Sequence, residues 1–195
     1  MSFYPINMLS ARVKEQTAGS HKQLESHLLF SALNGRFEEE NYITLLNKLY
    51  AYYSVLEKKY TPFFLEHPTL EIEKRQRAYV LKQDIENRSG NFIEPLANKD
   101  ITMPVIDTVW KATGALYVIE GSTLGGKFIC QSLAQTGVGP LNGAAYFSGY
   151  GEETGKMWKS FISFMNGIAS TEEQEQEVIQ TAEQVFATLY NWLNK

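Results

Sequence analysis

The chain has 195 residues, 44% hydrophobic and 21% charged, the proportions of one globular domain large enough to bury a sizeable core. A formal charge of −4 without any Lys/Arg block argues against nucleic acid or an anionic membrane surface as the main partner. The single cysteine, Cys130, excludes an internal disulfide framework and any multi-cysteine metal site; no apolar run reaches the roughly 18–20 residues of a membrane span, and Met1 to Asn7 lacks a basic start followed by an apolar stretch, so the expected location is the cytoplasm.

Helical spacing runs through almost the whole sequence. Val13, Thr17, His21, Leu24 and Leu28 recur at steps of three and four and predict a first helix from about Ser10 that ends near Asn34-Gly35. Tyr42, Leu45, Leu46, Leu49, Tyr53, Leu56 and Tyr60 form a second, longer stripe that stops at Thr61-Pro62. A third helix, charged outside, is expected from about Leu70 to Arg88. Pro104 suits the first turn of a fourth, in which Val105, Val109, Ala112 and Leu116 keep the helical step. Beyond Gly137-Val138-Gly139-Pro140 a glycine-rich loop reaches Gly151, and two more helices follow. The first carries Met157, Trp158, Phe161, Ile162, Met165 and Ile168; the second opens on a capping box of Ser170 and Glu173 and continues through Val178, Val185, Phe186 and Leu193. The expected fold is an all-α, single-domain bundle of six to eight helices spanning 1–195, with 1–8 as an N-terminal tail.

Gly121-Ser-Thr-Leu-Gly-Gly-Lys127 stands out against this background. Glycine inside an element costs about 0.5–1 kcal/mol relative to alanine, so three in six residues imply a steric need. Two readings compete. As a string the run fits the phosphate-cradling Gly, four residues, Gly, Lys pattern, but Phe128 stands where a P-loop needs a Ser or Thr hydroxyl for magnesium, and no series of strands supplies a parallel sheet. The other reading is a helix whose glycines let its backbone lie against a flat ligand.

His21 sits between Thr17 and Leu24 on the inward stripe of the first helix. It reads either as a core histidine or as an axial ligand to a heme iron, with Glu25 one turn on as acceptor for its other ring nitrogen. Lys14 lies two turns before it, about 10 Å along the same side, where an ammonium can meet a propionate. His27 falls off that face, and His67 precedes Pro68 in a turn. No Glu-x-x-His motif occurs, which disfavours a di-iron carboxylate bundle, and Gly-x-Ser-x-Gly is absent. Tyr50, Tyr52, Tyr53, Phe63 and Phe64 read as core packing.

Leu9 to Glu25, with Lys14, Thr17, His21 and Glu25 in place, resembles the proximal helix of heme oxygenases. Gly114-Ala-Leu-Tyr-Val-Ile-Glu-Gly-Ser-Thr-Leu-Gly-Gly126 is similar to the distal helix of their bacterial, biliverdin-producing branch, and Phe147-Ser-Gly-Tyr-Gly151, Thr154-Gly155, Trp158 and Met165-Asn166 agree further. The similarity spans about Leu9 to Trp192. It implies a heme oxygenase-like domain that clamps heme, both cofactor and substrate, between a proximal and a glycine-rich distal helix. The implied reaction cleaves heme to biliverdin, carbon monoxide and ferrous iron with O2 and electrons from a ferredoxin or reductase.

By the same resemblance His21 is the proximal iron ligand and Glu25 its acceptor. Gly121, Gly125 and Gly126 bend the helix over the ring, and Ser122 with backbone carbonyls anchors the distal water that delivers protons. Mammalian-type members carry an aspartate where this chain has Ser122. Trp158 and Ile162 stand where some relatives have Lys and Arg, leaving the propionates to Lys14 and Tyr117, with Lys111 and Lys159 as substitutes. Two other readings remain open: a heme- or bilin-binding helical protein of the same fold without turnover, and, more distantly, a P-loop nucleotide-binding protein.

Overall fold

The computed structural model describes residues 8–27, 37–92 and 100–195. Six α-helices order these residues, and among them no strand occurs: α1 (Leu9–Glu25), α2 (Glu39–Tyr60), α3 (Ala78–Ser89), α4 (Val109–Ala134), α5 (Thr154–Ile168) and α6 (Glu172–Leu193). The all-α expectation therefore holds. The P-loop reading does not, because Gly121 to Lys127 lies inside α4 and not after a strand. No helix of the described residues is long and apolar enough to cross a membrane.

The helices form where the apolar period lies, and the differences from expectation sit at their ends. α1 stops at Glu25; Leu28 and the end near Asn34-Gly35 lie outside the described residues, as does 1–7 of the N-terminal tail. The stretch from Leu70 to Arg88 is not one helix. Two 3-10 turns, Pro68–Leu70 and Ile72–Arg75, flank Glu71, whose φ of 51° breaks the right-handed path, and α3 begins only at Ala78. Pro104 precedes α4 without starting it: Thr108 is the N-cap and accepts from the Lys111 amide. The capping box of α6 is one residue later than predicted, formed by Thr171 and Gln174 in place of Ser170 and Glu173.

α6 is the axis on which the rest is set. Arg12 of α1 pairs with Glu172 at 2.5 Å and with Glu175, and the His21 ring meets the edge of Phe186 with centroids 5.8 Å apart. α4 meets the same helix more closely. A Cβ on Gly114 would lie 2.2 Å from the Val178 carbonyl oxygen and 3.1 Å from the Ala182 nitrogen, so the two backbones touch only because residue 114 has no side chain. Since Arg12 and His21 meet α6 in ascending order, and Thr108 and Gly114 of α4 do so too, α1 and α4 run in the same sense along it. The Ser10 amide donates to Asn166 Oδ1 of α5 at 2.9 Å and fixes the start of α1.

α2 closes the core from the other side with buried aromatic side chains whose hydroxyls reach distant backbone. Tyr42 donates to the Gly143 carbonyl at 2.5 Å, and Tyr52 to the Val185 carbonyl at 3.1 Å. The rings contribute apolar burial, and the bonded hydroxyls of Tyr42 and Tyr52 avoid the cost of an unpaired polar group.

Candidate active site

Where α1 and α4 approach each other, a hydrogen bond joins the side chains of Thr17 and Tyr117, both buried. One turn further along the two parallel helices come His21 on α1 and Gly121 on α4; one more turn brings Glu25 and Gly125. The register of the two helices therefore sets His21 and Glu25 on the same reach as Gly121 and Gly125, one and two turns beyond Thr17 and Tyr117, with Phe186 of α6 beside His21.

His21 is not on the buried stripe. Its side chain is 49% exposed, and its Nδ1 lies 3.5 Å from Glu25 Oε2, which leaves Nε2 as the nitrogen free to face a metal. The core histidine of α1 is His27, 7% exposed, edge-on to Tyr190, bonded to Asn194, with its pKa lowered because burial disfavours the imidazolium. Spacing alone put His21 on the inward stripe and His27 off it. His21 meets α6 only at the edge of Phe186, while His27, in the turn after α1, packs edge-on to Tyr190 of the same helix.

The glycines of α4 divide into two kinds. A Cβ added to Gly121 or Gly125 would meet nothing within 4 Å, so no protein packing accounts for them. Gly126 differs: its Cβ would lie 2.2 Å from the Phe147 carbonyl oxygen and 2.9 Å from the carbonyl carbon, so the loop after α4 is what requires glycine there. Leu124 and Phe128, large and apolar, are 42% and 73% exposed on the same stretch. Two unexplained helical glycines, two exposed apolar side chains and a half-exposed imidazole form a surface suited to a flat apolar ligand carrying a metal. Heme fits that description.

Ser122 is half-buried and donates to the Ile119 carbonyl at 2.7 Å. It accepts from the Tyr146 hydroxyl at 3.3 Å, and the Tyr53 and Tyr146 hydroxyls are 2.8 Å apart. With each hydroxyl donating once, the chain runs Tyr53 to Tyr146 to Ser122. The loop bearing Tyr146 is held by Asp84 of α3, which accepts from the Ala145 and Tyr146 amides at 2.9 and 2.7 Å.

Behind the glycine segment, Glu120 is fully buried and paired with Arg75 at 2.6 Å. Arg75 also donates to the Leu70 and Met157 carbonyls and to Ser160 Oγ, while Tyr150 donates to the other Glu120 oxygen at 2.6 Å. Every donor of the guanidinium is used, the condition under which a buried ion pair is tolerated. This cluster ties the residue before Gly121 to α5 and to the turn before α3.

The basic residues expected at the propionates are dispersed. Lys14 is exposed and has no ion pair among the described residues, Lys111 already pairs with Asp107 at 2.6 Å, and Lys159 is exposed on α5. Trp158 packs beside Tyr117 with centroids 6.0 Å apart. Sequence reasoning missed Tyr146, Arg75 and Glu120, and placed Tyr53 in the core only. A lone carboxylate, Glu120, directly after the apolar run Ala115 to Ile119 was the available signal for a buried partner; the hydroxyl chain, assembled from α2, α4 and a loop, left none. Among the described residues no three His, Cys, Asp or Glu side chains converge to hold a metal ion on their own.

Comparison with known proteins agrees with this geometry. The heme oxygenase family model matches residues 7–195. Heme oxygenase PigA of Pseudomonas aeruginosa is 25% identical over 181 residues, 92% of this chain and 88% of that protein. Among solved structures, the NO- and CO-bound heme oxygenase of Neisseria meningitidis aligns with a TM-score of 0.82 at 24% identity, covering 96% of this chain and 90% of that one. Heme oxygenase from Leptospira interrogans gives a TM-score of 0.78 at 16% identity over 95% and 98%. Heme oxygenase-1 of the cyanobacterium Synechocystis sp. PCC6803, in complex with heme, gives 0.71 at 18% identity over 95% and 90%.

Proposed function

This chain belongs to the heme oxygenase family, enzymes that degrade heme, and on that premise we propose that its α1–α4 cleft binds heme as substrate and directs its cleavage to biliverdin, carbon monoxide and ferrous iron. The bound heme supplies the iron that activates dioxygen and the meso carbon that is lost. In this reading 1–195 act as one domain in the cytoplasm. The electrons come from a ferredoxin or reductase, as the family resemblance implies, and a chain with one cysteine has no set of thiolates for an iron–sulfur cluster.

The residues divide the work by position. His21 would offer Nε2 to the iron, while Glu25, 3.5 Å from Nδ1, would fix the plane of the ring. Gly121 and Gly125 allow the α4 backbone to lie over the ring, a contact that any side chain at these positions would obstruct. Leu124 and Phe128 cover apolar ring edge and exclude water there. Tyr117, already bonded to Thr17, and Lys14 take the propionates. Ser122, polarised by Tyr146 and Tyr53 behind it, orients the water that carries protons to the distal face.

The observation that supports this reading is the pair of helical glycines where an added Cβ would meet nothing within 4 Å, on the same reach of the two helices as the half-exposed His21. The experiment is turnover. Hemin added to the purified protein, then ascorbate or a reductase under air, should bleach the Soret band and release a bilin. A stable heme complex that never yields bilin contradicts catalysis and leaves a binding protein.

A further inference from the structure

Behind the distal hydroxyl chain lies a polar cluster that the site above does not use. Tyr53, Glu57 and Tyr60 lie at i, i+4 and i+7 on one face of α2. Glu57 is 7% exposed, and its Oε1 accepts from the Arg77 and Ala78 amides at 2.5 and 3.0 Å. The same residue lines an open groove between α2 and α3 of about 480 Å³, with Ser54, Lys58, Thr61 and Lys82 at its walls. Among the described residues that line the groove, Glu57 is the acidic side chain.

Among the described residues three buried side-chain polar atoms have no hydrogen-bond partner, Thr61 Oγ1 beside the groove and, nearer the hydroxyl chain, the Tyr60 hydroxyl and Arg77 Nε. The latter two lie in one neighbourhood. The Tyr60 hydroxyl senses the charges of Glu57, Glu120 and Arg77, and the Tyr146 hydroxyl those of Arg77 and Glu57. The Arg77 guanidinium sits over the Tyr146 and Tyr150 rings, 5.5 and 5.1 Å from their centroids, and donates to the Tyr146 carbonyl at 2.8 Å. Buried polar atoms of this kind are satisfied by internal water, and a site with several polar partners can hold one.

The geometry points to a proton-entry route from the α2–α3 groove: Glu57 passes protons through water held by the Tyr60 hydroxyl and Arg77 Nε to Tyr53, Tyr146 and Ser122. It rests on the heme-cleaving reading, since that reaction consumes protons at the distal face. The Glu57 carboxyl gives up its proton toward dioxygen being reduced there, the electrons arrive from the external donor, and the carboxylate is reprotonated from the groove. The environment suits the task. Burial pushes the Glu57 carboxyl up to about 7, against the opposing pull of the Arg77 and Ala78 amides and the Arg77 charge, so it holds and loses a proton near neutrality. The other titratable groups around it are Tyr60, Tyr53 and Lys58 of α2, Lys82 of α3, Glu120 of α4, and Tyr146 and Tyr150 of the loop.

Two variants of the full chain test the route. Glu57→Gln keeps the volume and an acceptor for both amides, and Tyr60→Phe removes only a hydroxyl. Infrared titration of the heme-free protein should show a protonated-carboxyl band that fades as pH rises through about 7 and is missing in Glu57→Gln. In single-turnover bilin formation the wild-type rate should fall with rising pH through the same range. Glu57→Gln should be slower by about ten- to a hundredfold and lose that step, and Tyr60→Phe should be slower with the step retained. Bilin formed by either variant at the wild-type rate with the wild-type pH profile overturns the route alone. A wild-type protein that makes no bilin overturns it together with the reading on which it rests.

Discussion

Helix α4 holds four glycines that look alike in the sequence and do opposite things in the fold. Gly114 and Gly126 are pressed against other backbone, α6 and the Phe147 loop, whereas Gly121 and Gly125 between them face open space. The outer pair is explained by packing and sets where α4 lies. The inner pair lowers helix stability with no return from the protein itself, which is how a helix is shaped for a ligand. A glycine run is thus two signals superposed, and only the neighbours separate them.

The difference can be broken most severely at Gly126. Gly126→Ala forces a methyl into the Phe147 carbonyl and should cost about 3 kcal/mol by denaturant melting, while Gly125→Ala should raise the stability of the heme-free protein by about 0.5–1 kcal/mol. Equal effects at the two positions would erase the distinction. Gly125→Leu leaves the fold intact but places a side chain over the cleft. Its heme affinity should fall by about a hundredfold or more, roughly 2.7 kcal/mol, read by Soret titration.

Ser122, between the two open glycines, sharpens the contrast from the chemical side. Ser122→Ala should bind heme as wild type does yet convert it to bilin about ten- to a hundredfold more slowly, and Tyr146→Phe should follow in the same direction, because both break the hydroxyl chain without touching the ring-facing backbone. Stopped-flow absorbance separates the two effects. The smallest change is expected at Lys14. Lys14→Glu reverses an exposed charge worth at most about 1 kcal/mol, so heme affinity should weaken a few-fold at low salt and recover at moderate salt, with a shift in bilin isomer ratio.

What could be read from the sequence follows the range of the forces involved. The stripes of α1, α2, α5 and α6 are local periodicities, and they predicted those helices. Leu70 to Arg88 carries a helical pattern too, but Arg75 is drawn inward by Glu120, 45 positions away, and Glu57 holds the Arg77 and Ala78 amides, 20 and 21 positions away. Those bonds fix the break before α3, and nothing in the local pattern reports them. The site divides in the same way. His21, Glu25 and the glycines lie within single helices, so their spacing could single them out as candidates, while Tyr53 and Tyr146 become partners of Ser122 only when α2 and a loop fold against α4. His27 and His21 exchanged their expected burial because α1 ends at Glu25, so the helical period no longer governs where His27 points.

The account turns on His21 facing the open glycines of α4, so the most direct test compares hemin titrations of wild type and His21→Ala, with far-ultraviolet circular dichroism on both. An exposed side chain can be removed without opening a core cavity, so the helical signal should be the same in the two proteins. Wild type should saturate with one heme, show the spectrum of histidine-ligated iron and yield bilin with a reductant, while the variant should lose that spectrum and the bilin. A His21→Ala protein that keeps the wild-type Soret band and makes bilin at the wild-type rate would contradict the assignment of this cleft.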